Sequence, residues 1–209
     1  MSLQSLELLI HKWVMLNRHL CEPFALQPDN SIFLNDAYEL ASAISHLPER
    51  YSKKRYRRGE CFFAGMIDCS IFNDIADTYK HPADISADRK VEMKTAALLE
   101  LDKAKTKSRF LRNIIRLSHP SFGCYDFMQI AYDGLREFSM NLAGIQFIDI
   151  LLAEKDDPFV AEVVLIHDRY LSPGSKSVDL NFVERTQDNQ LILSDPVSFA
   201  FRIEELLPS

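Results

Sequence analysis

Residues 55–82, RYRRGECFFAGMIDCSIFNDIADTYKHP, constrain the fold more than any other stretch of the chain. Phe63, Ile67, Ile71, Ile75 and Tyr79 recur at every fourth position, and Phe62, Met66, Cys69, Phe72 and Ala76 fill the neighbouring stripe. Side chains three and four residues apart share one face of an α-helix, so the spacing predicts one long helix. A helix apolar over that much of its circumference packs on more than one side and is a central element. Pro82 has no amide to donate and disfavours helical dihedrals at His81, which ends the helix. The polar residues Ser70, Asp74, Asp77 and His81 follow at spacings of four, three and four, so they too lie on one face.

The chain before this stretch is also helical in pattern. Leu6, Leu9, Trp13, Leu16 and Leu20 form a stripe that predicts a helix over 4–20. After a loop with Pro23 and Pro28, a second helix is expected over 32–46, with Phe33, Ala37, Leu40, Ala41 and Ile44 inward. Pro48 either stops that helix or opens the next one at its first turn. Three helices with short connections predict a small up-and-down bundle.

Beyond His81 the texture changes. PADISADRK reads as a polar connector and as the boundary between a helical part, 1–83, and a second part, 84–209, unless the whole is one compact domain. Alternation of apolar and charged residues from Val91 to Asp102 predicts a strand, although Ala96 to Leu101 would also suit a helix. The polar turn DKAKTKS leads to 108–118, which fits either state and is read as the second strand of a hairpin. Phe127, Ala131, Leu135, Phe138 and Leu142 define another helix, stopped by Gly144. IQFIDILLA and FVAEVVLIHD read as a strand hairpin around EKDDP, and SVDLNFVE and QLIL as shorter strands around RTQDN. Asp195 followed by Pro196 is a cap and first turn, which predicts a last helix with Phe199, Ile203 and Leu206 inward. The expected class is α+β: an N-terminal helical bundle, then a mostly antiparallel sheet with two further helices.

At 209 residues the chain is long enough to bury a sizeable core. No apolar run approaches the roughly 20 residues that span a bilayer, and Lys12 and Arg18 interrupt the layout of a secretion signal. Cys21, Cys61, Cys69 and Cys124 have no CxxC spacing and read as reduced core residues, so a cytoplasmic location is expected, without a membrane partner and without a cofactor.

The net charge of -6 hides a segregated distribution. Residues 50–58 and 103–116 each hold six Lys or Arg and no acid, twelve of the 24 basic residues in the chain. Lys53, Lys54, Arg55, Arg57 and Arg58 interleave with Tyr51 and Tyr56; cations neutralise phosphates and tyrosines stack on bases, so the mix suits RNA or DNA. Arg109, Arg112 and Arg116 would extend such a surface. The function expected first is therefore a binding module for nucleic acid or another polyanion. Equally ordinary is a pair of solvated faces that meet an acidic protein or a second copy of the chain, in a non-catalytic homodimer.

Enzyme chemistry has weaker footholds. Asp74, Asp77 and His81 on one face could bind a divalent metal or pair a base with an orienting acid, whereas the bland alternative pairs Asp77 with His81 one turn on. No glycine-rich phosphate loop, GxSxG or HExxH occurs.

The segment Asp74-Ile-Ala-Asp-Thr-Tyr-Lys-His81 resembles prokaryotic helical-bundle proteins of the HEPN type, a resemblance that covers about residues 4–83. It implies a bundle that often dimerises and often works around RNA or defence systems. Members that act as ribonucleases carry an arginine and a histidine separated by four to six intervening residues near the start of a late helix. Arg112 and His119 have that separation here, outside the resembling region and in the segment read as a strand.

Overall fold

In a computed structural model of the chain, the N-terminal stripe becomes helix α1, Leu3–His19, with Leu6, Leu9, Trp13 and Leu16 all buried. The structure describes residues 3–22, 25–26, 31–47, 49, 70–142, 150–168 and 179–206. The strand β1, Ala25–Leu26, precedes α2, Ser31–Ser45, which buries Ala37, Leu40, Ala41 and Ile44 as expected. Of the central helix, α3 covers Ser70–Lys80 and stops just before His81 and Pro82. Ile71, Phe72, Ile75 and Ala76 are buried there, but Tyr79 is exposed and stacks on Tyr38 with ring centroids 4.5 Å apart.

Strands β2, Glu92–Leu101, and β3, Ser108–His119, are neighbours in a five-stranded sheet. The turn between them is built from its own sequence. The Asp102 carboxylate accepts the amides of Thr106 at 2.8 Å and Lys107 at 3.0 Å, and Lys105 takes a left-handed φ of 55°. Strand β4, Gly123–Asp126, pairs antiparallel with the end of β3. Asp126 then caps α4, Phe127–Leu142, accepting the Met128 amide at 2.9 Å. Phe127, Ala131, Leu135 and Phe138 are buried on its inner face.

The second half differs from the expected antiparallel meander. Residues 150–159 contain no strand, while 145–149 of the expected first strand lie outside the described residues; Lys155 bonds the Leu111 carbonyl at 2.7 Å, and Val160 bridges Ser108. Strand β5, Glu162–Asp168, lies between β1 and β8, Ala200–Leu206, and pairs parallel with both. The last element is thus a strand, not a helix. Asp195 and Pro196 lie in a polar link before it, and the Val197 amide bonds the Lys105 carbonyl at 2.9 Å. Strands β6, Asp179–Arg185, and β7, Leu191–Leu193, form the expected antiparallel hairpin around RTQDN, with Asn189 at a φ of 63°. β6, however, pairs with β2 in parallel, so the five-stranded sheet is mixed, in the order β4-β3-β2-β6-β7. The class remains α+β.

The chain forms two compact units, neither continuous in sequence. Unit 1 is drawn from Met1–Asn17, Phe33–Lys94 and Ile115–Leu152, and unit 2 from Arg18–Ile32, Thr95–Ile114 and Ala153–Ser209. The connector at 82–90 lies inside unit 1.

Within unit 1, Trp13 anchors α1 to α4. Its indole donates to the Met128 carbonyl at 2.9 Å and its ring lies 5.5 Å from that of Tyr132. Gly134 on α4 marks another close approach. A Cβ there would lie 3.0 Å from Phe72 Cε2 and 3.6 Å from Ile44 Cγ2. Gly134→Ala therefore loses the usual gain of alanine over glycine in a helix, about 1 kcal/mol, against overpacking of about 1–3 kcal/mol. The variant is expected to be about 1 kcal/mol less stable in urea denaturation; a more stable variant would show that the Phe72 ring gives way.

Candidate functional site

Two clusters of charge are built by residues far apart in sequence. In unit 1, Asp74 projects from α3 and is fully buried. The Arg89 guanidinium spans it and Asp77, with Nε 2.7 Å from Asp74 Oδ1 and Nη2 2.6 Å from Asp77 Oδ2. Burial works against the charged arginine, and its hydrogen bonds to Asp74 and Asp77 outweigh that, so its pKa is raised. His119, at the end of β3, places Nε2 3.1 Å from the other Asp74 oxygen. Its Nδ1 accepts the backbone amides of Ser121 at 3.0 Å and Phe122 at 3.3 Å. An amide can only donate, so Nδ1 carries no proton and Nε2–H donates to Asp74.

That geometry uses both ring nitrogens. A histidine acting as general base must turn one nitrogen toward the proton it takes. Here one faces a carboxylate and the other a pair of amides. The nearby Ser121 hydroxyl donates to the Asp88 carbonyl at 3.3 Å. Arg89 likewise lies where a cation bound by Asp74 and Asp77 would sit, and among the described residues no His, Cys, Asp and Glu group is arranged to hold a metal ion. His81 is exposed, and Asp77 pairs with Arg89 rather than with it; the link from Asp77 to His81 is the backbone bond of 2.8 Å from the His81 amide. The cluster ties α3, the connector and the end of β3 together. It is a buried clamp.

In unit 2, Glu100 on β2 is the counterpart. Its Oε2 accepts Arg109 Nε at 2.9 Å, and its Oε1 accepts Arg185 Nε at 3.1 Å. Burial alone would raise the Glu100 pKa, but the hydrogen bonds from Arg185 and Arg109 more than offset it, so the carboxyl titrates below its usual range. Arg109 also reaches Asp156 at 2.6 Å and lies 4.9 Å over the Phe159 ring, and Arg185 reaches Glu154 at 2.7 Å.

These contacts decide what becomes of the second basic run. Arg109 is engaged on three sides. Lys105 pairs with Glu184. Arg112 is buried, donating from Nε to the Asn113 carbonyl at 3.1 Å and from Nη1 to the Ala153 carbonyl at 3.3 Å. Arg116, Lys103 and Lys107 are exposed. Arg112 and His119 stand seven residues apart on extended β3, which turns their side chains to opposite faces about 23 Å apart along the strand. The first basic run, with Lys53, Lys54, Arg55, Tyr56, Arg57 and Arg58, lies outside the described residues, as do Cys61 and Cys69. Cys124 is exposed on β4 rather than in the core, and Cys21 is half-buried, its thiol pKa raised by burial.

Arg89, Glu100 and Arg185 escape a reading by sequence spacing because their partners lie outside their own elements. Also missed is the apolar surface of unit 2. Ile192 and Leu193 on β7, Val197 in the following link and Phe201 on β8 are all exposed, Leu193 at 78% and Val197 at 75%. The Phe199 ring stacks on that of Phe201 at 5.9 Å and meets Phe182 edge-on at 4.9 Å. No family model matches the chain, and neither curated proteins nor solved structures give a match.

Proposed function

We propose that this chain is a non-catalytic protein–protein interaction module of the cytoplasm that engages its partner through the apolar surface of unit 2. The observation that carries the reading is the exposure of four large apolar side chains within one short segment of unit 2, Ile192, Leu193, Val197 and Phe201, the last stacked on Phe199. Single apolar residues are normal on a surface, whereas several so exposed within one short segment support a contact site. The acidic and basic groups that would serve catalysis are instead paired with one another in the two clusters.

A second reading, binding of RNA, DNA or another polyanion, keeps the support of residues 50–58, with their six cations and no acid. The resemblance of residues 4–83 to HEPN-type proteins favours RNA within it. It loses Arg109 and Arg112 as contributors, since both are engaged internally.

Cross-linking in cells followed by mass spectrometry separates the two. Cross-links to a discrete partner, another protein or a second copy, are expected at β7 and Val197 and are lost in Leu193→Asp. That variant should keep its stability within about 0.5 kcal/mol because the side chain is exposed. Labelled RNA or DNA, followed by anisotropy, should bind no more tightly than to an ordinary protein. Binding that weakens steeply with salt, and is lost when Lys53, Lys54, Arg57 and Arg58 become Glu, would replace the interaction reading by the polyanion one.

A further inference from the structure

We infer that the partner is a second copy of this chain, added strand to strand along β8, an inference that rests on the interaction reading. Among the described residues β8 is the edge of the three-stranded sheet β1-β5-β8, bonded on one side to β5 over its whole length. An edge strand presents a row of backbone donors and acceptors that another strand can pair with. The devices that usually block such pairing include a proline, charged side chains (lysine above all) and a bulge, and of these β8 carries only the charges of Arg202, Glu204 and Glu205. The sequence of β8, AFRIEEL, has neither proline nor lysine, and its pairing with β5 runs without a bulge from Glu162↔Ala200 to Asp168↔Leu206. Ala200, Phe201 and Arg202 are exposed, Phe201 at 54%.

The charges of the strand select the occupant. Two antiparallel copies centred on Ile203 oppose position 202, an arginine, to position 204, a glutamate, and do so twice by symmetry. Position 200 meets 206, alanine against leucine, and position 201 meets 205 without like charges. A shift of two residues, which keeps each side chain on its own face, opposes Arg202 to itself in one direction and Glu204 to itself in the other. The strand is complementary to itself in this register, and its charges disfavour a generic apolar strand. The product is one continuous six-stranded sheet in the order β1-β5-β8-β8-β5-β1.

Sedimentation of the purified chain over about 1–100 μM tests the dimer. The wild type is expected to be dimeric at the upper end. Arg202→Glu turns both opposed pairs into like charges and should weaken association about tenfold or more. Adding Glu204→Arg should restore it to within about threefold, since the opposed pairs are again complementary. This rescue separates the dimer contact from the pairing of Arg202 with Glu162 at 3.2 Å inside the sheet, which the double variant does not restore. Should the Arg202 variant fail to fold, mild oxidation of an Ile203→Cys chain reads the same contact, as a link between the two copies at position 203 mapped by mass spectrometry. A monomer at every concentration, a dimer indifferent to Arg202→Glu, or no link through position 203 overturns the proposal. A monomer that still cross-links to another protein at Leu193 and Val197 overturns the β8 dimer alone, whereas cross-links that avoid unit 2 overturn the interaction reading itself.

Discussion

Asp74→Ala is expected to destabilise the chain by about 3–5 kcal/mol, the loss typical of removing one partner from a buried charge cluster. The penalty arises from what is left behind. His119 has a fully buried side chain, and its Nε2–H loses the acceptor held at 3.1 Å. Arg89 loses one of two carboxylates, and its side chain, one-quarter exposed, keeps Asp77 and some access to water. Most of the cost therefore falls on the histidine side of the clamp, together with a void on the inner face of α3. Asp74→Asn keeps the shape and an acceptor oxygen but also presents an amide N–H₂ to groups that themselves donate, so about half the loss is expected to remain. Urea denaturation measures both. A cost under about 1 kcal/mol for Asp74→Ala would show that the cluster does not hold the fold.

Glu100→Gln is expected to cost about 3 kcal/mol at neutral pH, because two arginines lose the carboxylate between them. Each keeps an outer acid, Asp156 for Arg109 and Glu154 for Arg185, but Asp156 is 97% exposed and contributes little. The same residue gives a pH signature. Its carboxyl has a folded pKa below the ordinary 4.5, so folding holds it ionised more strongly than the unfolded chain does. The stability from this depression is fully present above pH 4.5 and is lost as the pH falls through the folded pKa. Between pH 6 and pH 3 the wild type should lose stability faster than Glu100→Gln, and the two curves should converge on acidification. Parallel curves would mean that Glu100 is not the carboxylate that Arg109 and Arg185 depress.

The helices were legible because burial enforces their period. Leu6, Leu9, Trp13 and Leu16, or Phe127, Ala131, Leu135 and Phe138, repeat as they do because each must face a core. The strands β2, β6 and β7 were legible from alternation and from turns that carry their own chemistry, as Asp102 and Asn189 do, whereas β3, whose pattern fits either state, was read only as the second arm of its hairpin. The end of the chain misled for the converse reason. Among the described residues β8 is an edge strand whose first three side chains, Ala200, Phe201 and Arg202, are all exposed, so burial imposes no period of two on its start, and Asp195-Pro196 serves a bend as well as a helix start. Parallel pairing of β5 with β8, and of β2 with β6, leaves no local trace, because parallel partners are joined by no short turn. The charge clusters were illegible on similar grounds. Asp74 was read on one helix face with Asp77, and Arg89 does bridge those two, but Arg89 and His119, fifteen and 45 residues away from Asp74, approach it only in the folded chain. The acid-free run at 103–116 looked like a surface because its neutralising acids, Glu100, Asp156 and Glu184, come from outside it.

The bond from Trp13 to Met128 spans 115 residues, and that from Asn17 to Leu151 spans 134. For a chain leaving a ribosome at about 5–20 residues per second, Trp13 waits on the order of 6–23 seconds before its acceptor exists. Through that interval the apolar stripe of α1 has nothing of its final surroundings from α4 to cover it. A nascent chain stalled before residue 128 should therefore expose an amphipathic helix with its greasy side bare, a ready substrate for chaperones that hold unfinished polypeptides. The long reach of one indole makes this protein's folding a late event in its own synthesis.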